Sequence, residues 1–296
     1  MDVSVSIITL TKNRAPLLRL CLQSLVGQLK RDDELIVLDN ASTDNTRDVV
    51  NSFKRFFTIR YFMTDVQGYP KLYNTAVSKS AKKIIVFLDD DCIAGKNFVS
   101  HVRRVHDEQN AARVAQGRTI SIPRGNIYVD VMGDHYVNWI SANTTSAPFM
   151  RTFDNKNASM PRSVWLASGG FPQQLSVGSE DIELGLRLRR KGVQIVYDPS
   201  IVAYHHERKT FAGFVDQHRR IAMSEALLAL RAPGADSLRE VYIKKIILHI
   251  QSAVRRELFY LTSFQITYFF MLPCLYIVLA VVRVWTYHMT TWTHQK

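Results

Sequence analysis

Three acids in a row, Asp89-Asp90-Asp91, follow the wholly apolar stretch Ile84-Ile85-Val86-Phe87-Leu88. On an extended backbone successive side chains alternate, which predicts Asp89 and Asp91 on one side and Asp90 on the other. Carboxylates packed that closely repel one another unless water or a cation neutralises them. The pattern therefore fits either a solvated acidic turn or a Mg²⁺ or Mn²⁺ site shared with a substrate's phosphates. A second acid group, Glu180-Asp181-Ile182-Glu183, follows Gly178-Ser179. Acids at a helix start complement its dipole, and one fixed there beside a hydroxyl can act as general base in a transfer reaction. Further on, Ile201-Val202-Ala203-Tyr204 runs into His205-His206, which read as structural histidines or as metal ligands.

The elements that must position these groups alternate in the manner of an α/β fold. Strands are expected at residues 3–10, 34–38, 58–62 and 84–88. Between the first two, Leu17, Leu18, Cys21, Leu22 and Leu25 recur at helical spacing behind Pro16, and proline suits a first helical turn. Ser42-Thr43-Asp44 announces the next helix. Such βαβ units give parallel strands that bind ligands outside their C-terminal ends. A helix is also expected over 181–191, with acids at its start, Arg187, Arg189, Arg190 and Lys191 at its end, and Gly192 just beyond. Residues 125–151 carry few helix signals and read as loop with short strands.

The chain has 296 residues, 47% of them apolar, and a formal charge of +12. That is enough to bury one large core, and the charge points to an acidic partner such as phosphorylated molecules or an anionic leaflet. Cys21, Cys92 and Cys274 show no ligand spacing, so neither a disulfide framework nor a structural zinc site is expected. The opening apolar run is too short for a signal peptide, and Lys12 and Arg14 follow it rather than precede it. Residues 258–282 carry no formal charge, enough to span a hydrocarbon core. Pro273 within them suits a kinked span, a re-entrant hairpin or an interfacial helix. A buried helix of a soluble domain is the other reading. Arg255 and Arg256 mark the N-terminal flank as cytoplasmic, and a basic amphipathic helix carrying Lys244 and Lys245 leads into it. The expected organisation is a catalytic domain over 1–232 and a membrane-associated part over 233–296, its apolar segment at about 258–284.

Taken in order, these motifs resemble glycosyltransferase family 2, inverting enzymes of the Rossmann-like GT-A fold. The resemblance extends from about Val5 to His206. The segment from Val5 to Arg14 is similar to the family's first strand and nucleotide-binding turn, which implies donor contacts at Thr11, Asn13 and Arg14. The segment from Ile36 to Asp44 is similar to its second, with Asp39 and Asn40 against the nucleoside. Phe87-Leu88-Asp89-Asp90-Asp91 matches the D-x-D motif. The resemblance puts Asp89 and Asp90 on the donor, with Asp91, Asp89 and His205 or His206 around a divalent Mn²⁺ or Mg²⁺. Gly169-Gly170-Phe171 with Glu180-Asp181 resembles the acceptor-side helix, which makes Asp181 the catalytic base and sets Glu180 and Gly170 on the acceptor side. Lys12 stands where the family commonly has an aromatic residue and Asn40 where many members have aspartate, so UDP and dTDP donors are both open.

The implied activity is transfer of a sugar from a nucleotide-diphosphate donor to a glycan or lipid-linked acceptor, at the cytoplasmic face of the cell membrane, in surface polysaccharide or glycolipid synthesis. A nucleotidyltransferase would be expected to show a glycine-rich loop after the first strand, and residues 9–14 hold no glycine. An inactive membrane-associated nucleotide-sugar-binding or scaffold protein is the alternative, against which the acid set is intact. No nucleic-acid motif is present, so nucleic acid is not an expected partner.

Overall fold

The computed structural model describes residues 3–107, 112–174 and 179–231, with Ile277, Val281, Trp285, Thr286 and Met289. Four parallel strands start the fold: β1 (Val5–Thr11), β2 (Glu34–Asn40), β3 (Ile59–Thr64) and β4 (Ile84–Leu88). They are rich in β-branched and leucine residues, and β1, β2 and β4 are buried almost throughout, as strands covered on both faces must be. Helices α1 (Ala15–Leu25), α2 (Thr46–Phe53) and α3 (Tyr69–Ser78) connect them. Ala15, Leu18, Cys21, Leu22 and Leu25 form the buried stripe of α1, with Pro16 in its first turn. These elements match the expected strands and first helix to within a few residues.

The chain continues through β5 (Cys92–Ala94), α4 (Phe98–Asp107), β6 (Arg113–Ile122), α5 (Ile127–Asn143), β7 (Thr144–Ser146), β8 (Phe149–Met150) and β9 (Asn157–Pro161). Then come α6 (Arg162–Ser168), α7 (Glu180–Arg190), β10 (Gln194–His206) and α8 (Phe211–Arg231). One ten-stranded sheet results, in the order β3-β2-β1-β4-β9-β6-β10-β8-β7, with β5 paired to β10. The order 3-2-1-4 makes the junction of β1 and β4 a topological switch point, where a crevice opens at the strands' C-terminal ends. Beyond β4 the sheet turns antiparallel at β9.

Two compact units divide the described residues. The first takes Met1–Ile120, Thr145–Ser176 and Glu180–His206 and contains the acid motifs; the second takes Ser121–Thr144, Val177–Ser179 and Glu207–Lys296. Within the second, Tyr128 of α5 packs against Phe211 and Phe214 of α8 at ring separations of 6.3 and 5.7 Å. Ser121 donates to Glu207.

Most of the 125–151 segment, expected as loop with short strands, is instead the 17-residue helix α5. Its β-branched and aromatic residues are weak helix formers, but Asn126 caps it by accepting from the backbone N–H of Tyr128 and Val129. Burial of Ile127, Val129, Val131, Met132 and Tyr136 supplies the rest, tertiary packing overriding propensity. The expected membrane segment at about 258–284 lies, apart from Ile277 and Val281, outside the described residues. Among the described residues, no helix is long and apolar enough to cross a membrane.

Candidate active site

Two loops wall the crevice at the end of β1 and β2. Asn13 adopts a left-handed backbone (φ 51°), a conformation asparagine tolerates better than most residues. Its N–H donates to Ser42 Oγ at 2.8 Å, and its Oδ1 accepts from the N–H of Thr43 at 2.7 Å. Asp44 accepts from the N–H of Ala15 and of Thr46, so one carboxylate serves the first turns of both α1 and α2. Asp39 is buried, accepting from the N–H of Ser42 and from the Tyr61 hydroxyl. Asn40 Oδ1 is a buried polar atom with no hydrogen bond, a group of the kind a polar ligand satisfies, and the buried Thr11 hydroxyl bears on Asp90.

The acids after β4 depart from strict alternation. The N–H of Cys92 bonds to Asp89 O at 3.0 Å, closing a turn in which Asp91 stays near Asp89, as expected, while one guanidinium also reaches both Asp90 and Asp91. Arg14 Nη1 donates to Asp90 Oδ1 at 3.0 Å and to Asp91 Oδ2 at 2.9 Å. Asp89 instead accepts from the buried Tyr73 hydroxyl at 2.6 Å, backed by the ring cluster of Tyr73, Phe87, Phe171 and Trp165. Burial, then the charge of Asp91, raises Asp89 above the usual carboxylate range. The same causes push Asp90 up to about 7, against the pull of Arg14. Burial also disfavours ionised Asp91, but His205, Arg14 and Lys156 outweigh it and hold that carboxyl well down.

Strand β10 brings in the histidine. Its antiparallel register with β5 sets His205 opposite Cys92, and His205 Nε2 lies 3.3 Å from Asp91 Oδ1. His206 makes its bond to Asp91 through the backbone, N–H to O at 2.9 Å. Of the two histidines it is thus the His205 ring that sits beside the acid. Two donor atoms 3.3 Å apart suit neighbouring positions on a cation bound at about 2.1 Å, which Mg²⁺-type ions prefer, taking further ligands from substrate phosphates and water. Among the described residues no group of three or more His, Cys, Asp or Glu could hold a metal by itself.

At the start of α7, Asn155 holds both acids. Its N–H donates to Asp181 Oδ2 at 3.2 Å and its Nδ2 to Glu180 Oε1 at 3.1 Å. Glu180 is 5% exposed, with Oε2 buried and without a hydrogen bond, while Asp181 keeps partial exposure. Burial, then Asp181, raises Glu180; burial, then Asp154, raises Asp181. Lys156 draws Asp89, Asp91 and Asp181 downward, so a single ammonium is felt by both acid groups. Gly170 stands at φ 74° where a Cβ would meet Asn74 Oδ1 at 2.6 Å, so its part here is close packing. Asn74 bonds both backbone groups of Phe171, each at 2.9 Å. Sequence reasoning passed over Tyr73, Asn74, Asn155 and Lys156. Only the polar run of residues 154–157 just before a strand hinted at the last two.

A switch-point crevice with acids on two sides defines this unit as a GT-A-like α/β domain. Residues 6–161 match the sequence model of glycosyl transferase family 2, and residues 84–292 match that of glycosyl transferase family group 2. The chain belongs to glycosyl transferase family 2. Validoxylamine A glucosyltransferase of Streptomyces hygroscopicus subsp. jinggangensis is 28% identical over 221 residues, 64% of this chain and 52% of the relative. The O-antigen chain rhamnosyltransferase WbaN of Salmonella anatum is 25% identical over 191 residues, 62% of this chain and 59% of the relative. The chain thus spans about half the length of the curated relatives it matches first. The mannosyltransferase PcManGT of Pyrobaculum calidifontis, solved with GDP-Man and Mn²⁺, shares the fold at a TM-score of 0.65 and 19% identity, over 96% of this chain and 88% of that one. S. aureus TarS 1-349 with UDP-GlcNAc does so at 0.55 and 14%, over 99% and 91%.

Proposed function

We propose that the chain transfers a sugar from a nucleotide-diphosphate donor to an acceptor hydroxyl, inverting the anomeric carbon, in surface polysaccharide or glycolipid synthesis at the cytoplasmic membrane face. The observation that carries this reading is that Asp91, with His205 3.3 Å away, and Asp181 are both drawn downward by the charge of one lysine, Lys156. The two tied loops, with Thr11, Asn13, Arg14, Asp39 and Asn40, form the nucleotide side. Asp181, raised toward neutrality yet still partly exposed, takes the acceptor's proton. The acceptor oxygen then bonds to the anomeric carbon as the bond to the diphosphate breaks, its electron pair leaving with the nucleoside diphosphate. A divalent cation on Asp91 and His205 would supply positive charge for that leaving group.

The reading is also supported by what related proteins are named for. Glucosyl- and rhamnosyltransferases and an O-antigen biosynthesis protein of Myxococcus xanthus are among the relatives, and structural neighbours hold GDP-Man with Mn²⁺ or UDP-GlcNAc. The membrane location and the 1–232 and 233–296 division rest on the sequence. The test is binding and hydrolysis of UDP-, dTDP- and GDP-sugars by the full chain in detergent, with and without Mn²⁺, beside Asp91→Ala. Metal-dependent binding of one donor class, lost in the variant, is the expected result. Folded protein that binds none of them would favour the inactive scaffold.

A further inference from the structure

Arg14 is built to move. Its backbone is fixed: Arg14 O accepts from the N–H of Leu18 at 2.9 Å as the first bond of α1. The residues beside it are tied too, Asn13 to Ser42 and Thr43 and Ala15 to Asp44. The side chain is 41% exposed, and both its carboxylate contacts are made by Nη1. A long arm on an anchored stem can leave one partner for another without disturbing the fold.

What it holds is the acid turn. Arg14 takes Asp91 Oδ2, while Asp91 Oδ1 faces His205 Nε2. A divalent cation arriving at Oδ1 would stand within a few ångström of the guanidinium and meet like-charge repulsion. A diphosphate offers Arg14 a more highly charged partner whose oxygens suit its forked geometry. We propose that Arg14 is a displaceable internal cation: it neutralises Asp90 and Asp91 while the donor is absent, and it yields Asp91 to a metal only when a nucleoside diphosphate draws it away. Metal and nucleotide then bind cooperatively, and by linkage each tightens the other equally. The inference rests on the metal-dependent donor site proposed above.

The experiment measures binding rather than turnover. Mn²⁺ is titrated into the nucleotide-free full chain, followed by loss of its free electron-spin signal. UDP, dTDP and GDP are then titrated with and without Mn²⁺, for the wild type, Arg14→Gln, Arg14→Lys and Asp91→Ala. In the wild type Mn²⁺ alone binds weakly and one nucleotide tightens it. In Arg14→Gln, Mn²⁺ alone binds more tightly, on the order of fivefold for the loss of a partly exposed ion pair, while the nucleotide binds more weakly and the cooperativity shrinks. Arg14→Lys, which keeps the charge without the fork, falls between. Loss of nucleotide affinity with no gain in Mn²⁺ affinity would reduce Arg14 to an ordinary phosphate contact and overturn the proposal. Weakening of both ligands with a lowered melting temperature would make it structural and overturn it equally. A wild type whose Mn²⁺ binding responds to none of the nucleotides and is unchanged in Asp91→Ala would instead overturn the underlying metal-site reading.

Discussion

After β4, Asp91 lies between Arg14 and His205, whereas at the start of α7 Asp181 accepts from the amides of Asn155 and Ile182. Both residues are partly buried, yet their carboxyls shift in opposite directions. Cationic neighbours hold Asp91 ionised; burial and Asp154 raise Asp181. A carboxylate kept charged throughout the working range is a ligand or a charge partner. One raised toward neutrality takes a proton and returns it. On the proposed reading, environment rather than residue type divides the work between the two aspartates.

The sharpest break of this comparison is Asp181→Asn, expected to lower transfer by about 10²–10⁴-fold, the worth of a general base, with donor affinity nearly unchanged by calorimetry. If Glu180→Gln showed that loss and Asp181→Asn did not, the base would be Glu180. Next, Asp91→Ala should weaken Mn²⁺-dependent donor binding by about 100-fold, in keeping with several kcal/mol of lost charge stabilisation, while metal-free nucleotide binding changes little. Asn155→Ala removes the side-chain donor to Glu180 but keeps the backbone donor to Asp181. It should cost about 1 kcal/mol of stability in denaturant melts and leave the acid limb of the rate profile in place.

The remaining expected effect concerns pH. Glu180 has a higher pKa folded than unfolded, so the folded state binds the proton more tightly and stability falls as pH rises above the unfolded carboxyl range. Glu180→Gln should flatten that fall between melts at pH 5 and pH 8, by no less than about 1.4 kcal/mol, the worth of a single pKa unit. An unchanged slope would mean that Glu180 is not held protonated.

The parallel half and α7 were legible because their signals are local: apolar runs ending in acids, a leucine stripe behind Pro16, an acid-to-base gradient along α7. The acid turn was legible as a motif and in the nearness of Asp89 to Asp91, but not in the placing of Asp90 beside Asp91, since alternation assumes an extended chain and the Cys92–Asp89 bond bends it. Helix α5 was missed because its stability comes from burial rather than propensity. Asn155 and Lys156 were invisible for a related reason. Asn155 matters through bonds to Glu180 and Asp181, 25 and 26 residues away, and Lys156, itself paired with Asp154, through its charge on Asp89, Asp91 and Asp181.

The amide of Asn74 grips Phe171 across 97 residues of sequence by both its donor and its acceptor end, so a side chain does what a neighbouring strand edge would do. One position earlier on the same helix, Tyr73 grips Asp89. In mechanical terms α3 is a short lever with a jaw at each of two adjacent residues. On the proposed reading, one short helix thus holds both the acceptor-side turn and the donor-side carboxylate.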